Sequence, residues 1–188
     1  MKKAFVLSIL LVNVLAFNGC MKENCGCDPK TNQPVLFQYE YTNYAWGYRH
    51  HGFLIDSDGN IQGFLQPANW IFPDSTGMLK KVDLEYNLAQ CDTSYGKVDR
   101  DVLYENFNKL EDIRQGKIAD NGMVMADAGT GVLSGWYWNA KAGKYENVFL
   151  VSNGDYSRIN THASVKDMVE WLKSVGAKTD RFYWYGDI

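Results

Sequence analysis

The sequence is short of the residues that most metal and acid–base chemistry draws on. Histidine occurs 3 times and cysteine 4 times in 188 residues. Neighbouring strand residues point to opposite faces, so His50 and His51 are not placed to share a metal, and His162 stands apart. Cys25 and Cys27 lack further ligands at a spacing that would close a structural zinc site, so neither a metal nor a cofactor is expected. Basic charge is short as well. Lys and Arg number 19 against 22 Asp and Glu, a net charge of −3, which argues against nucleic acid or anionic headgroups as partners. No apolar run reaches the roughly 20 residues that span a bilayer. There is no internal repeat beyond two loosely similar hairpin units, and no low-complexity segment.

Several catalytic or binding motifs are approached without being completed. Asp56-Ser57-Asp58-Gly59-Asn60 looks like the start of an EF-hand loop, but the position that needs a bidentate Glu is Pro67. Asp127-Ala128-Gly129-Thr130-Gly131 is glycine-rich, yet a strand pattern follows it instead of a lysine or a helix start, so it reads as a turn. No nucleophile elbow frames Ser157 or Ser164 beside His162. Asp155 and Arg158 in Gly154-Asp155-Tyr156-Ser157-Arg158 read as a structural loop pair.

What is present begins at the N-terminus. Lys2 and Lys3 precede an apolar run from Ala4 to Phe17, broken only by Ser8 and Asn13, in the order of a secretory signal. The run ends at Phe17-Asn18-Gly19-Cys20, and a Gly-Cys ending of this kind resembles the lipobox of bacterial lipoproteins. Phe17 and Asn18 stand where Leu and a small residue are more usual. The resemblance implies cleavage before Cys20 and diacylation of that residue. It also implies an anchored protein of the cell envelope, with Met21 pointing to the outer membrane where the host has one. The expected organisation is a signal peptide over 1–19, the lipidated cysteine and a flexible tether over 20–34, and one globular domain over 35–188. Loss of Lys2 and Lys3 leaves 17 basic residues against 22 acidic ones, a net charge of −5. With Cys20 acylated, Cys25, Cys27 and Cys91 remain in an oxidising compartment. Only Gly26 separates the first two, so a bridge from Cys25 or Cys27 to Cys91 is expected in preference to one between them.

Along the domain, Phe37, Tyr39 and Tyr41 alternate with polar residues as on a half-buried strand. Strands over His51–Asp56 and Ile61–Gln66 flank a hairpin turn at Ser57-Asp58-Gly59-Asn60. A helix over Gly77–Gln90 is predicted from the stripe Leu79, Val82, Tyr86 and Ala89. A second helix starts at Asp99 as N-cap, with Val102, Leu103, Phe107, Leu110 and Ile113 inward and Gly116 as its stop. Strands follow over Met123–Ala126, Val132–Asn139 and Glu146–Val151, the last two joined by a turn at Lys141-Ala142-Gly143-Lys144. The third helix covers Ser164–Val175, with a capping-box variant at Ser164 and Asp167 and a stripe of Val165, Met168, Val169, Leu172 and Val175. Phe182–Tyr185 is the last strand expected. Hairpins dominate and strands do not alternate with helices, so the fold class is α+β with an antiparallel sheet and about three helices.

Gly52-Phe53-Leu54-Ile55-Asp56-Ser57-Asp58-Gly59-Asn60, Asp127-Ala128-Gly129-Thr130, Ser152-Asn153-Gly154-Asp155 and Val169-Glu170-Trp171-Leu172 together resemble small uncharacterised bacterial lipoproteins. That resemblance implies no activity and no site residues. The residues themselves offer Trp136 and Trp138, on one strand face, as an aromatic platform for a sugar or an envelope protein, against the alternative that both rings are core. The leading functional expectation is a non-enzymatic binding or inhibitory module. The alternatives are an envelope hydrolase using Asp127, Asp155 and His162, and a structural envelope component.

Overall fold

A computed structural model describes residues 32–184 of the chain. The signal segment, Cys20, Cys25, Cys27 and most of the expected tether therefore lie outside the described residues. Ordered packing starts before Val35: Gln33 is fully buried, and its amide donates to the carbonyls of Val35 and Trp136 at 2.7 and 2.6 Å.

Among the described residues nine strands form one antiparallel sheet, and the fold is α+β as expected. The first three are β1 (Val35–Asn43), β2 (Arg49–Asp56) and β3 (Asn60–Leu65). Next come the two-residue β4 (Met78–Leu79) and β5 (Thr93–Lys97). The second half contributes β6 (Ile118–Met123), β7 (Thr130–Asn139), β8 (Lys144–Gly154) and β9 (Tyr156–Asn160). Their spatial order is β5-β3-β2-β1-β7-β8-β9-β6, with β4 on β8. The helices are α1 (Lys81–Leu88), α2 (Arg100–Asn108), the single turn α3 (Leu110–Ile113) and α4 (Val165–Gly176). Among the described residues no helix is long and apolar enough to cross a membrane.

Both faces of the sheet are covered. On one, Phe37, Tyr39, Phe53, Ile55 and Leu133 pack with α2, α3 and α4. On the other, Leu54, Phe64, Trp136 and Tyr145 pack with Leu84 of α1 and with Trp70 and Ile71 of the preceding loop.

The β2–β3 hairpin turns where expected. Asp56 Oδ1 accepts from the amides of Asp58 and Asn60, and Gly59 takes the left-handed conformation (φ +83°) that a side chain would strain. Asp99 caps α2 by accepting from the amides of Asp101 and Val102. All five predicted stripe residues of α4 are buried.

Elsewhere the structure corrects the periodicity. The predicted Gly77–Gln90 helix starts at Lys81, because Met78 and Leu79 pair with Glu146 and Tyr145 of β8 first. Its inward residues are Leu84 and Asn87, while Val82 and Tyr86 of the predicted stripe are exposed. Asn87 is buried because it clamps the loop, accepting from the Ile71 amide and donating to the Ile71 carbonyl. The strand predicted over Met123–Ala126 lies earlier, at β6, and pairs with β9, a strand where the sequence predicts a loop. Ser164 makes no side-chain cap, since its backbone is already helical (φ −78°, ψ −5°) where a capping residue is extended. Phe182–Trp184 is no strand. It is a strap laid on the helical face, where Phe182 meets Tyr39 edge-on at 4.7 Å.

Candidate functional site

The Trp136–Trp138 platform is not exposed. The two rings do share a face, as alternation requires, but that face lies under α1 and the Trp70 loop. Trp136 is 1% exposed, and its indole donates to Gln38 Oε1 at 2.9 Å. Trp138 is half-buried, edge-on to Tyr145 at 5.0 Å. Both belong to the second core cluster and serve packing.

Of the residues of the hydrolase alternative, Asp127 and Asp155 lie in adjoining turns, but His162 does not join them. Asp155 precedes β9 and spends its carboxylate on the Ala128 amide at 2.7 Å. His162 lies beyond the other end of β9, where Nδ1 accepts from the Ser164 amide at 3.3 Å. Asp127 is an exposed turn residue at φ +62°, and its carbonyl accepts from the Asn43 side chain. Cys91 is a free thiol among the described residues, and Cys25 and Cys27, its expected partners, lie outside them. Burial, then the neighbouring Asp92 charge, push its thiol up to about 12, so it stays protonated at neutral pH. Among the described residues no cluster of His, Cys, Asp and Glu could hold a metal ion.

A pocket does open at the Asn43–Arg49 end of the β1–β2 hairpin, on the helical face. Its volume is about 540 Å³, within the range of small-molecule sites. Three parts of the chain build it. The hairpin gives Tyr41 and His51 as floor and Trp46, Tyr48 and Arg49 as rim; the end of β3 gives Leu65 and, just beyond it, Gln66; the C-terminal strap gives Asp180, Arg181 and Tyr183. Strand register explains the meeting, because Tyr41 stands opposite His51 and His51 opposite Leu65. The strap is pinned beside them by Tyr39, whose hydroxyl donates to the Tyr183 carbonyl at 2.6 Å.

The floor is tightly packed and polar at one point. His51 stacks on Tyr41 at 4.7 Å and meets Tyr183 edge-on at 5.2 Å. It is 9% exposed, and its Nε2 is buried with no hydrogen-bond partner. Buried polar atoms are usually paired, which makes this nitrogen a candidate contact for a ligand. Burial first, then the charges of Arg181, His50 and Arg49, hold His51 down to about 4, so the ring is neutral at neutral pH.

The rim is aromatic and open. Trp46 is 76% exposed, Tyr183 54% and Tyr48 44%. Gln66 takes a left-handed backbone (φ +48°), held by its amide donating to the His50 carbonyl at 2.7 Å. Strain of this kind gathers at binding sites, and here it shapes the pocket wall. Asp180 is occupied, since it accepts from the Tyr95 hydroxyl and stands 3.5 Å from Arg181 Nε.

On the opposite face, His50 is fully buried, with Nε2 2.6 Å from Glu40 Oε1. Phe64, Trp70 and Phe72 surround its ring at 5.0–5.4 Å between centroids. The two adjacent histidines thus face opposite sides of the sheet, as alternation predicts.

Sequence reasoning missed this pocket, because its walls come from segments more than a hundred residues apart and no motif joins them. The one signal was the aromatic density of Tyr44-Ala45-Trp46-Gly47-Tyr48 before two histidines. No protein-family model, curated protein or solved structure matches the chain.

Proposed function

We propose that this chain is a lipid-anchored binding module of a bacterial envelope, and that the pocket at the Asn43–Arg49 hairpin end takes a sugar unit of a glycan. The observation that carries the binding reading is the pocket itself, with open aromatic rings around a buried imidazole whose Nε2 lacks a partner. Tyr and Trp rings offer flat apolar faces with polar edges, which suits the C–H face and the hydroxyls of a pyranose. The anchor reading rests on the Lys2-Lys3 start, the short apolar run and the Gly19-Cys20 ending.

The test uses the full-length protein in detergent micelles on an array of bacterial surface glycans. Trp46 is 76% exposed, so Trp46→Ala should change stability by no more than about 0.5 kcal/mol. Binding by the wild type that falls at least about tenfold in Trp46→Ala supports the pocket as the site. Wild-type binding that Trp46→Ala leaves intact places the ligand elsewhere, and no binding by the wild type removes the glycan reading.

A further inference from the structure

We propose that the sugar is an acidic one, a pyranose whose carboxylate is received by His51 Nε2 and the guanidinium of Arg181, with Arg49 at the rim. This deepens the glycan-pocket reading above and rests on it.

Charge is the first argument. The chain as a whole carries a net charge of −3, while the pocket is lined by two arginines, Arg49 and Arg181, and one carboxylate, Asp180, with Asp92 at 4.0 Å from Arg181. Asp180 and Asp92 both stand beside Arg181, which leaves Arg49 at the rim without a carboxylate partner among the described residues. An unpaired cation at the mouth of a pocket draws anionic ligands, most of all when the rest of the surface would repel them.

Unmet hydrogen bonding is the second. Nε2 of His51 is buried without a partner, and so is Nε of Arg181, which stands at ion-pair distance from Asp180 without a hydrogen bond. Both residues line the same pocket, and a small shift of either side chain would open these shielded atoms to it. A guanidinium offers five donors in a planar fork that matches a carboxylate, and a neutral imidazole in the Nε2–H tautomer adds another. A sugar hydroxyl would satisfy one of these groups, whereas a carboxylate can satisfy both at once. The Arg181 and Arg49 charges that, after burial, help to hold His51 neutral are the same charges that would attract the anion.

Shape is the third. The exposed rings do not stack into a slot for a flat aromatic acid. In the floor Tyr41 and His51 stack at 27°, but Tyr183 meets His51 at 76°, so no second ring runs parallel to them across the pocket. Splayed rings around a polar floor suit the puckered ring of a sugar, and about 540 Å³ leaves room for a second unit.

The experiment is calorimetric titration of the full-length protein in micelles with two disaccharides, one ending in glucuronate and its neutral counterpart ending in glucose. Inorganic phosphate is the third probe. The glucuronate form should bind at least about tenfold more tightly than the neutral one, and Arg181→Gln should erase the difference. Arg181 helps to seat the strap, so Arg49→Gln, on an exposed strand end, serves as the second variant and should reduce the preference as well. Equal binding of both disaccharides, with both variants indifferent, overturns the acidic-sugar inference and leaves the glycan pocket standing. Binding of phosphate as tight as that of glucuronate overturns it too, and identifies an anion site without sugar recognition. If neither disaccharide binds, both readings fall.

Discussion

Alternation along β2 sends two adjacent imidazoles into opposite environments, and the difference has a measurable consequence. His50 is tied to Glu40 inside an aromatic box, whereas His51 sits unpartnered over the pocket. An unfolded histidine titrates near 6.5, while burial and nearby positive charge hold His51 near 4 in the fold. The folded chain therefore binds fewer protons than the unfolded chain between these values. The stabilising contribution is complete above about pH 6.5 and is lost as pH falls from there towards 4. A difference of that size is at most about 3 kcal/mol, less whatever water in the pocket screens. His51→Gln should flatten the decline in unfolding free energy across this window, read by urea denaturation at several pH values. Equal slopes in variant and wild type would show that the ring does not titrate as its surroundings imply.

At the scale of the element, the helices separate what the sequence revealed from what it concealed. In α4 the apolar stripe does the packing, and Val165, Met168, Val169, Leu172 and Val175 are all buried. Period alone reads such a helix. In α1 the inward positions are Leu84 and the polar Asn87, whose amide holds the backbone of Ile71, and a pattern of apolar residues does not register a hydrogen-bonding clamp. The same blindness explains Trp136: alternation fixed which rings share a face, but α1 and the Trp70 loop decide whether that face is covered. The pocket was further out of reach, since Tyr41, His51, Gln66 and Arg181 meet only through strand register and the docking of the strap. The two helices give a paired prediction. Leu172→Ala in α4 should cost about 2–5 kcal/mol. Val82→Ala in α1, 62% exposed, should stay within about 0.5 kcal/mol. Chemical denaturation of both variants checks this, and a large loss at Val82 would restore the stripe that the fold displaces.

For the molecule as a whole, the antiparallel sheet with both faces covered accounts for the aromatic richness of the sequence. Phe37, Tyr39 and Phe53 fill one side, and Phe64, Trp136 and Tyr145 the other. The proposed anchor adds a prediction at this scale. Cys20→Ser should abolish incorporation of radiolabelled palmitate and move the protein from the membrane to the soluble fraction, because stable attachment takes more than one acyl chain. Membrane partition equal to wild type would remove the lipoprotein reading and leave the fold and the pocket untouched.

β1 acts as a spacer between two ends with different duties. Gln33 fastens the chain where the N-terminal segment enters the domain, and Tyr41 marks the pocket at the far end of the strand. Nine extended residues separate these ends by roughly 25–30 Å. A chain tied to a bilayer at Cys20 would enter its domain at one pole and meet its ligand at the other. The mouth would then stand off from the headgroups by about the length of the domain. Such a receptor samples polymers that never touch the membrane and leaves the lipids beneath it alone. Its catch would depend on how far a glycan chain extends into the envelope, so lengthening or shortening residues 21–31 should retune which layer it reaches without altering the pocket.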